Sequence, residues 1–339
     1  MVPKKNSPLK KTLFYLNLVS LALQLFLMSP FKLFIDSTPL NLFVPIVCLV
    51  NLLFFVYWLL RMQWPFLLFL FSFGIQFKQW SLLYQLPHKE KESEEGLKIM
   101  SFNVRLFNLY GWIKEDDIPG KIEDFIQSEQ PDIICFQEFA KSESPAFKEY
   151  PYQHFQYQQQ NGSRGLHILS KIPLIQSGFI PFENTTNDGI YSNVVWKGDT
   201  LRIYNLHLES LKINTRDSVT PFSGKRFVKK IKSIFAIQQQ QASTFNNFAS
   251  KSTYPAIICS DINNNAFSKT YRTLAANRND AYTLFGKGIG GTYSFWFFPL
   301  RIDYIFTDMK LEVLSFKTLD VSLSDHKPIT ATVKMKKIE

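Results

Sequence analysis

Between Thr12 and Phe77 three uncharged apolar stretches follow one another: Thr12 to Phe31 (20 residues), Ser37 to Leu60 (24 residues) and Met62 to Phe77 (16 residues). A water-soluble core cannot absorb so much uninterrupted apolar surface, whereas a bilayer core needs about 20 apolar residues wound as helix. The first two windows meet that length. The third meets it by continuing past Lys78 to Leu86, with the lysine stem reaching for an interface. Residues 1–86 are therefore expected to form a membrane region of three transmembrane helices. No small-residue cleavage site follows the first window and a second span comes at once, which argues against a cleaved signal peptide. Tyr57, Trp58, Trp64 and Trp80 stand near window ends, where aromatic rings anchor at headgroup level.

Charge supplies an orientation. Of the net +10, residues 1–86 carry +6 and residues 87–339 carry +4, so most of the excess belongs to the apolar region. Lys4, Lys5, Lys10 and Lys11 precede the first window, which by the positive-inside rule keeps the N-terminus cytoplasmic. Three crossings then place the remainder outside the cytoplasm, as in an integral protein of a bacterial inner membrane. Two crossings, with the third segment lying in the interface, would leave it inside. Cys48 falls in a span, and Cys135 and Cys259 in apolar strand-like runs, so all three read as free thiols.

Residues 87–96 are short, charged and without apolar periodicity, and read as a linker. The 243 residues from Leu97 to Glu339 suffice for one large core in which short β-type runs alternate with helical stretches. Leu97 to Arg105 alternates apolar and polar residues and ends a first strand near Asn103. A helix from Lys121 to Ser128 presents Ile122, Phe125 and Ile126, and Pro131 stops it. The buried strand Asp132 to Glu138 follows, with Glu138 closing its apolar run. Arg164 to Pro173 reads as a third strand, in which His167 alternates with Leu166 and Ile168 and is assigned to structure. Leu201 to Leu208 is another, with His207 near its end.

Lys225, Arg226, Lys229, Lys230 and Lys232 then read as the solvated face of an amphipathic helix, with an attraction for a phosphate-bearing polymer or anionic lipid as the minor alternative. Gln238 to Gln241 is a polar tract too brief for low complexity. Tyr254 to Asn263 repeats the pattern of apolar strand and terminal acid, and Asp261 and Asn263 share a side if the chain stays extended. Arg301 to Phe306 carries Asp303 as an inward carboxylate. Asp325 and His326 occupy a turn before the last strand, Ile329 to Met335. That turn pairs a hard oxygen ligand with the side chain best suited to acid and base work near neutrality. No internal sequence repeat, glycine-rich nucleotide loop or zinc-type spacing is present.

Ser101-Phe102-Asn103, Gln137-Glu138, Asn205-Leu206-His207, Asp261-Ile262-Asn263, Arg301-Ile302-Asp303-Tyr304 and Ser324-Asp325-His326, in that order, resemble the signature of the endonuclease/exonuclease/phosphatase superfamily. Its members include pancreatic-type deoxyribonucleases, apurinic-site endonucleases, neutral sphingomyelinases and inositol-phosphate 5-phosphatases. The resemblance covers Leu97 to the end. It implies an α/β four-layer sandwich of the DNase I type, two packed mixed β-sheets flanked by helices, here preceded by the all-α transmembrane region. Where some members carry a further metal-binding Asp two residues after the Asn, this chain has Arg105, so a one-metal site is the expectation.

Ester cleavage at phosphorus needs a nucleophilic water, neutralised phosphoryl oxygens and help for the leaving oxygen, which Mg²⁺ and placed hydrogen bonds can supply. By resemblance Glu138 is the chief ligand of Mg²⁺, or of Mn²⁺ in its place, with Asn103 and Asp325 beside or behind it. His326 and Asp303 form a base dyad or phosphate-polarising pair. Asp261 orients the water or protonates the leaving group, and Asn263 and His207 donate to the non-bridging oxygens. The expected partners are the bilayer and a phosphate ester, either nucleic acid or a phospholipid head group, with no obligate protein partner. Tethering and the run Tyr293 to Leu300 lean toward lipid, and a domain charge of +4 argues against a strongly basic polymer groove. The alternative is a catalytically silent membrane-bound binding module of the same fold, against which the intact set of acids and histidines speaks.

Overall fold

The computed structural model describes residues 8–29, 39–88, 95–157, 164–183, 185, 187–211, 225–295 and 298–336. Lys4, Lys5, Ser37, linker residues 89–94, Trp296 and Phe297 lie outside them, as do the side chains of residues 225–227. The chain divides into two compact units, Met1–Leu83 and Tyr84–Glu339.

In the first unit, helices α1 (Pro8–Leu27) and α2 (Val44–Leu60) run antiparallel. Trp58 Nε1 donates to Asn17 Oδ1 at 3.1 Å, Asn51 Nδ2 donates to Gln24 Oε1 at 2.9 Å, and Cys48 Sγ lies 3.4 Å from Met28 Sδ. Helix α3 (Phe66–Ile75) joins them: Gln24 Nε2 donates to Ser72 Oγ at 3.2 Å and to Gln76 Oε1 at 3.1 Å. Asn17, Gln24, Asn51, Ser72 and Gln76 are thus buried, while Leu16, Val19, Leu53, Leu60, Phe71 and Ile75 face outward.

Among the described residues one helical stretch, Leu40–Leu60, is long and apolar enough to cross a membrane. The third window, expected as one continuous helix, is instead α3 and a single further turn, α4 (Phe77–Trp80). The break falls at Gln76, whose side chain turns inward to Gln24. At 1.5 Å per residue the ten residues of α3 rise only about 15 Å, half a hydrocarbon core.

The second unit opens with strand β1 (Leu97–Asn103), then helix α5 (Ile118–Glu129) and strands β2 (Ile133–Ala140), β3 (Tyr152–Tyr157) and β4 (Arg164–Ser170). Strands β5 (Leu174–Ile180), β6 (Gly189–Trp196) and β7 (Asp199–His207) lead into helix α6 (Lys225–Ala249), followed by β8 (Ala256–Asp261) and β9 (Arg278–Asp280). A hairpin, β10 (Tyr293–Phe295) and β11 (Phe298–Leu300), precedes β12 (Asp303–Asp308), β13 (Leu311–Thr318) and β14 (Ile329–Met335).

Two six-stranded mixed sheets result, ordered β13-β14-β1-β2-β4-β3 and β5-β6-β7-β8-β12-β9. Each has one parallel pair at its centre, β1 with β2 and β7 with β8, and every other pairing is antiparallel. The parallel pairs need long crossovers, and α5 and α6 provide them. The same strand pattern is therefore built twice from sequences that show no repeat.

Ile99, Ile133, Cys135, Leu166 and Ile168 of the first sheet pack with Ile190, Ile203, Ile257, Cys259 and Ile305 of the second, and both cysteines are free thiols. On the outer face of the first sheet α5 buries Ile118, Ile122 and Ile126, one side chain per helical turn, against Met100, Phe102, Ile134 and Phe136. Each isoleucine so buried contributes about 2 kcal/mol. The helix begins at Ile118 rather than Lys121, and Phe125 sits at the margin of the buried stripe. Helix α6 covers the second sheet, with the Phe245 ring edge-on to Tyr204 at 5.0 Å and Lys229, Lys230 and Lys232 in solvent, as the basic run implies. This is the four-layer DNase I-like sandwich. Its Arg164 strand is fourth rather than third, because β3 comes before it.

Candidate active site

The topology brings the polar strand ends to one edge. Parallel β1 and β2 finish there, so Asn103 lies beside Gln137, and parallel β7 and β8 finish there, so His207 lies beside Asp261. Antiparallel β12 starts at the same edge, setting Asp303 opposite Asp261, and the turn before antiparallel β14 delivers Asp325 and His326.

His326 Nδ1 is 2.9 Å from Asp303 Oδ2, and its Nε2 is 3.8 Å from Asp261 Oδ2. All three side chains are buried. Thr292 Oγ1 accepts the backbone N–H of Asp303 at 3.2 Å, and Ser324 Oγ accepts that of His326 at 3.3 Å. Burial alone would push the His326 pKa down. The charges of Asp303 and Asp261 and the hydrogen bond to Asp303 outweigh it and hold the imidazole well above its ordinary value. Asp261 is pushed up to about 6 by burial and by the charge of Asp303. His207 stands 3.8 Å from Glu138 Oε1 and 3.8 Å from Asp261 Oδ2, and burial lowers its pKa.

Asn103 bridges the sheets: its Nδ2 donates to Asp261 Oδ2 at 3.0 Å, and its Oδ1 accepts the Arg105 N–H at 3.0 Å. Glu138 projects from an irregularity in the β2–β4 pairing, where its φ of +49° takes the left-handed region that a non-glycine residue seldom occupies. Asn263 has φ +50°, so the chain does not stay extended past Asp261 as the two-residue spacing suggested. It turns, the Asn263 N–H donates to Asp261 Oδ1 at 2.9 Å, and its side-chain amide donates to the Leu208 carbonyl at 3.1 Å. Asp325 is ion-paired to Arg105 Nη1 at 3.1 Å, and the guanidinium lies 4.2 Å over the Trp112 ring. Arg105 to Asn108 are four successive left-handed residues, φ +42° to +63°, and backbone strain of this kind gathers at functional sites.

A model of the Endonuclease/Exonuclease/phosphatase family matches residues 100–326, the span that holds every one of these side chains. The chain belongs to that family. Its fold is similar to the human Nocturnin catalytic domain with bound sulfate (TM-score 0.56, 20% identity, 73% of this chain and 96% of that one). It is also similar to D. rerio TDP2 complexed with single-strand DNA product (0.55, 17%, 71% and 100%) and to a Bacteroides thetaiotaomicron mannosyl-6-phosphatase (0.53, 18%, 70% and 100%). As a member of the endonuclease/exonuclease/phosphatase family the chain is a phosphoester hydrolase.

Divalent metals are the usual cofactors of the family, and this edge fits one. Ligand atoms of Asp261, Asp303 and His326 all lie within 4.8 Å of one another, and Glu138, its own pKa raised by burial, adds a further carboxylate. Oxygen-rich, anionic and dry surroundings suit a hard divalent cation. Of the residues expected to hold the metal, Glu138 borders this cluster and is hydrogen-bonded by Asn103, which also donates to Asp261, while Asp325 is ion-paired to Arg105.

Several residues that carry no legible role in the sequence support the site. Gln137 Nε2 donates to Asn205 Oδ1 at 2.7 Å, and Asn205 Nδ2 donates to the Phe136 carbonyl at 2.8 Å, forming a polar seam between the sheets beneath the site. Gln238, from the polar tract too brief for low complexity, donates to the Glu209 and Asn263 carbonyls at 2.7 and 3.2 Å and fixes two site loops. Arg301 forms a buried 2.7 Å ion pair with Asp280 under the Tyr282 and Tyr304 rings, just before Asp303. Gln137, Asn205 and Arg301 stand within the strand-end motifs quoted above, and that placement was their one signal in the sequence.

Proposed function

We propose that the second unit hydrolyses a phosphate ester by direct attack of water, assisted by one divalent cation, Mg²⁺ in the first instance. The observation that carries this reading is the 2.9 Å contact of His326 with Asp303 at the carboxylate-lined edge. Asp303 holds the Nδ1 proton, fixes the tautomer and leaves Nε2 toward Asp261 and the reacting centre. Glu138 holds the metal, with Asn103 and Asp325 in support, and the metal when bound neutralises charge on the phosphoryl oxygens. Asp261 positions the water or serves the leaving oxygen, and His207 and Asn263 face the non-bridging oxygens. Purified residues 84–339 should turn over duplex DNA, sphingomyelin or a phosphoinositide with added Mg²⁺ and stop in EDTA. Undiminished turnover in chelator would remove the metal, and silence on every phosphate ester would favour the binding-module reading.

The first unit serves as a membrane anchor. Its support is the inverted burial pattern, with amides and a serine inside and large apolar side chains outside, a stable arrangement in lipid and an unstable one in water. Lys10, Lys11 and Arg61 gather at the end where α1 begins and α2 finishes, which keeps that end cytoplasmic. A third crossing needs α3, α4 and the turn after them together to reach the far side; the enzyme then faces away from the cytoplasm, and protease added to spheroplasts should digest it. Full protection would instead mean two crossings.

A further inference from the structure

Tyr293, the first residue of β10, stands beside the His326–Asp303 dyad, and the residue before it sets its place. Thr292 Oγ1 accepts the backbone N–H groups of Ile302 and Asp303 at 3.1 and 3.2 Å, and the Thr292 carbonyl accepts that of Lys327 at 2.7 Å. One threonine thereby ties the β10–β11 hairpin to both segments that carry the dyad. Gly291 makes the close approach possible, since a Cβ there would stand 2.5 Å from the Pro299 Cβ. The Tyr293 backbone bridges to His326, and its ring centroid lies 5.1 Å from that of the imidazole at 51°. A ring held this way has little freedom to swing out of the site.

Tyr293 is half-buried, and among the described residues no hydrogen bond engages its hydroxyl. The charges that act on the phenol identify what surrounds it. Burial raises its pKa above the ordinary value, Asp325 raises it further, Arg105 opposes, and Asp261 and Glu138 add to the rise. These four groups come from separate segments and meet at the carboxylate edge, so the hydroxyl is turned toward the site. An ordinary phenol, with a pKa near 10, already keeps its proton at neutrality, and this one is a donor there. Acceptors otherwise crowd the edge, in the carboxylates of Glu138, Asp261, Asp303 and Asp325. Asn263, expected as a donor to the phosphoryl oxygens, has its amide turned to the Leu208 carbonyl.

We propose that Tyr293 is a further catalytic residue, whose hydroxyl donates a hydrogen bond to a non-bridging oxygen of the phosphate ester. The inference rests on the hydrolytic reading above and adds to it a donor that brings no charge. Packing against His326 fixes the donor before substrate arrives, so it needs no reorganisation as charge shifts over the phosphoryl oxygens. Losing one such donor should cost about 10²-fold in kcat.

The test uses the full chain in neutral detergent with added Mg²⁺, on duplex DNA, sphingomyelin and a phosphoinositide. Tyr293→Phe keeps the ring and removes only the hydroxyl. On the ester that the wild type cleaves, it should lower kcat and kcat/KM together by about 10²-fold, with KM and melting temperature little changed. Wild-type turnover in Tyr293→Phe overturns the proposal and leaves the ring as packing for His326. A loss confined to KM overturns it too, by making the contact one of ground-state binding. A second measurement, taken per folded molecule, guards against a variant that folds poorly. One non-bridging oxygen of the same ester is replaced by sulfur, a poor acceptor, and the cost of Tyr293→Phe should then shrink in the sulfur form that lacks its partner oxygen. A cost undiminished in every sulfur form overturns the proposal. A wild-type chain silent on all three esters would sink the hydrolytic reading and this inference with it, whereas an active wild type matched by Tyr293→Phe sinks this inference alone.

Discussion

The two units bury the same chemistry for opposite ends. In the first, Asn17, Gln24, Asn51 and Gln76 are interior and the exterior is hydrocarbon. In the second, isoleucine, phenylalanine and valine fill the interior, and the polar groups are confined to one sheet edge and the seam beneath it. On the anchor reading proposed above, what differs is the surrounding solvent. A buried amide in a unit embedded in lipid would have no competing water outside the bundle, so its partner would decide which helices associate. A buried amide in the sandwich has given up water, and its partner decides whether the fold tolerates it at all.

The sharpest test of this contrast separates chemistry from stability at the edge. His326→Ala should lower turnover by ~10²–10⁴-fold with the melting temperature nearly unchanged. Asp303→Asn should fall the same way, and the double variant should lose little more than the worse single one. A large drop in melting temperature with activity kept in the folded fraction would make the pair a structural pin.

Next in size is the Arg301–Asp280 pair. Asp280→Asn leaves a buried guanidinium without its counter-charge and should cost about 3–5 kcal/mol in urea unfolding of residues 84–339. Turnover per folded molecule should fall far less than in His326→Ala.

His167 offers a test by pH. Burial against Phe139 and Phe155, aided by the charges of His154 and Lys141, lowers its pKa to about 3. Between that value and the unfolded pKa near 6.5 the unfolded chain binds the extra proton. The His167 contribution is therefore complete above pH 6.5 and is lost on acidification, at up to about 1.4 kcal/mol per pH unit. Urea midpoints at pH 7, 6 and 5 should show the slope, and His167→Phe should flatten it.

The smallest effects compare the two kinds of amide directly. Gln137→Leu orphans Asn205 Oδ1 and should cost about 1–3 kcal/mol in urea. Gln24→Leu, followed by unfolding in mixed micelles, should cost only about 0.6 kcal/mol for each hydrogen bond removed. The reverse ranking would break the contrast between the units.

What could be read in the sequence follows from the same physics. Asn103, Glu138, His207 and Asp261 were visible because a polar residue closing a buried strand breaks an apolar run, and Asp303 and the Asp325–His326 turn because they stand just where such a run begins. Strand β5 gave no such signal, since its mostly exposed residues neither alternate cleanly nor form a run. Gln137 and Asn205 were quoted within strand-end motifs but could be given no role, because a buried amide and a solvated one are the same letter. The third apolar window reads as a span by hydropathy alone, and only Gln76, pulled inward by Gln24, ends its helix early. The doubled sheet pattern is invisible for a related reason: it is a property of strand pairing, which unlike sequences can share.

The pairing of β14 with β1 joins Leu97 to Val333, and that has a consequence for how the protein is made. During synthesis β1 emerges early and must wait for its second neighbour on the order of tens of seconds. Throughout that interval the first sheet has an open edge, the kind of surface that recruits strands from other chains. His326 arrives only with the segment that closes it. A polypeptide interrupted before that point carries a sheet but no working dyad, so hydrolysis begins only once the last strand has been added.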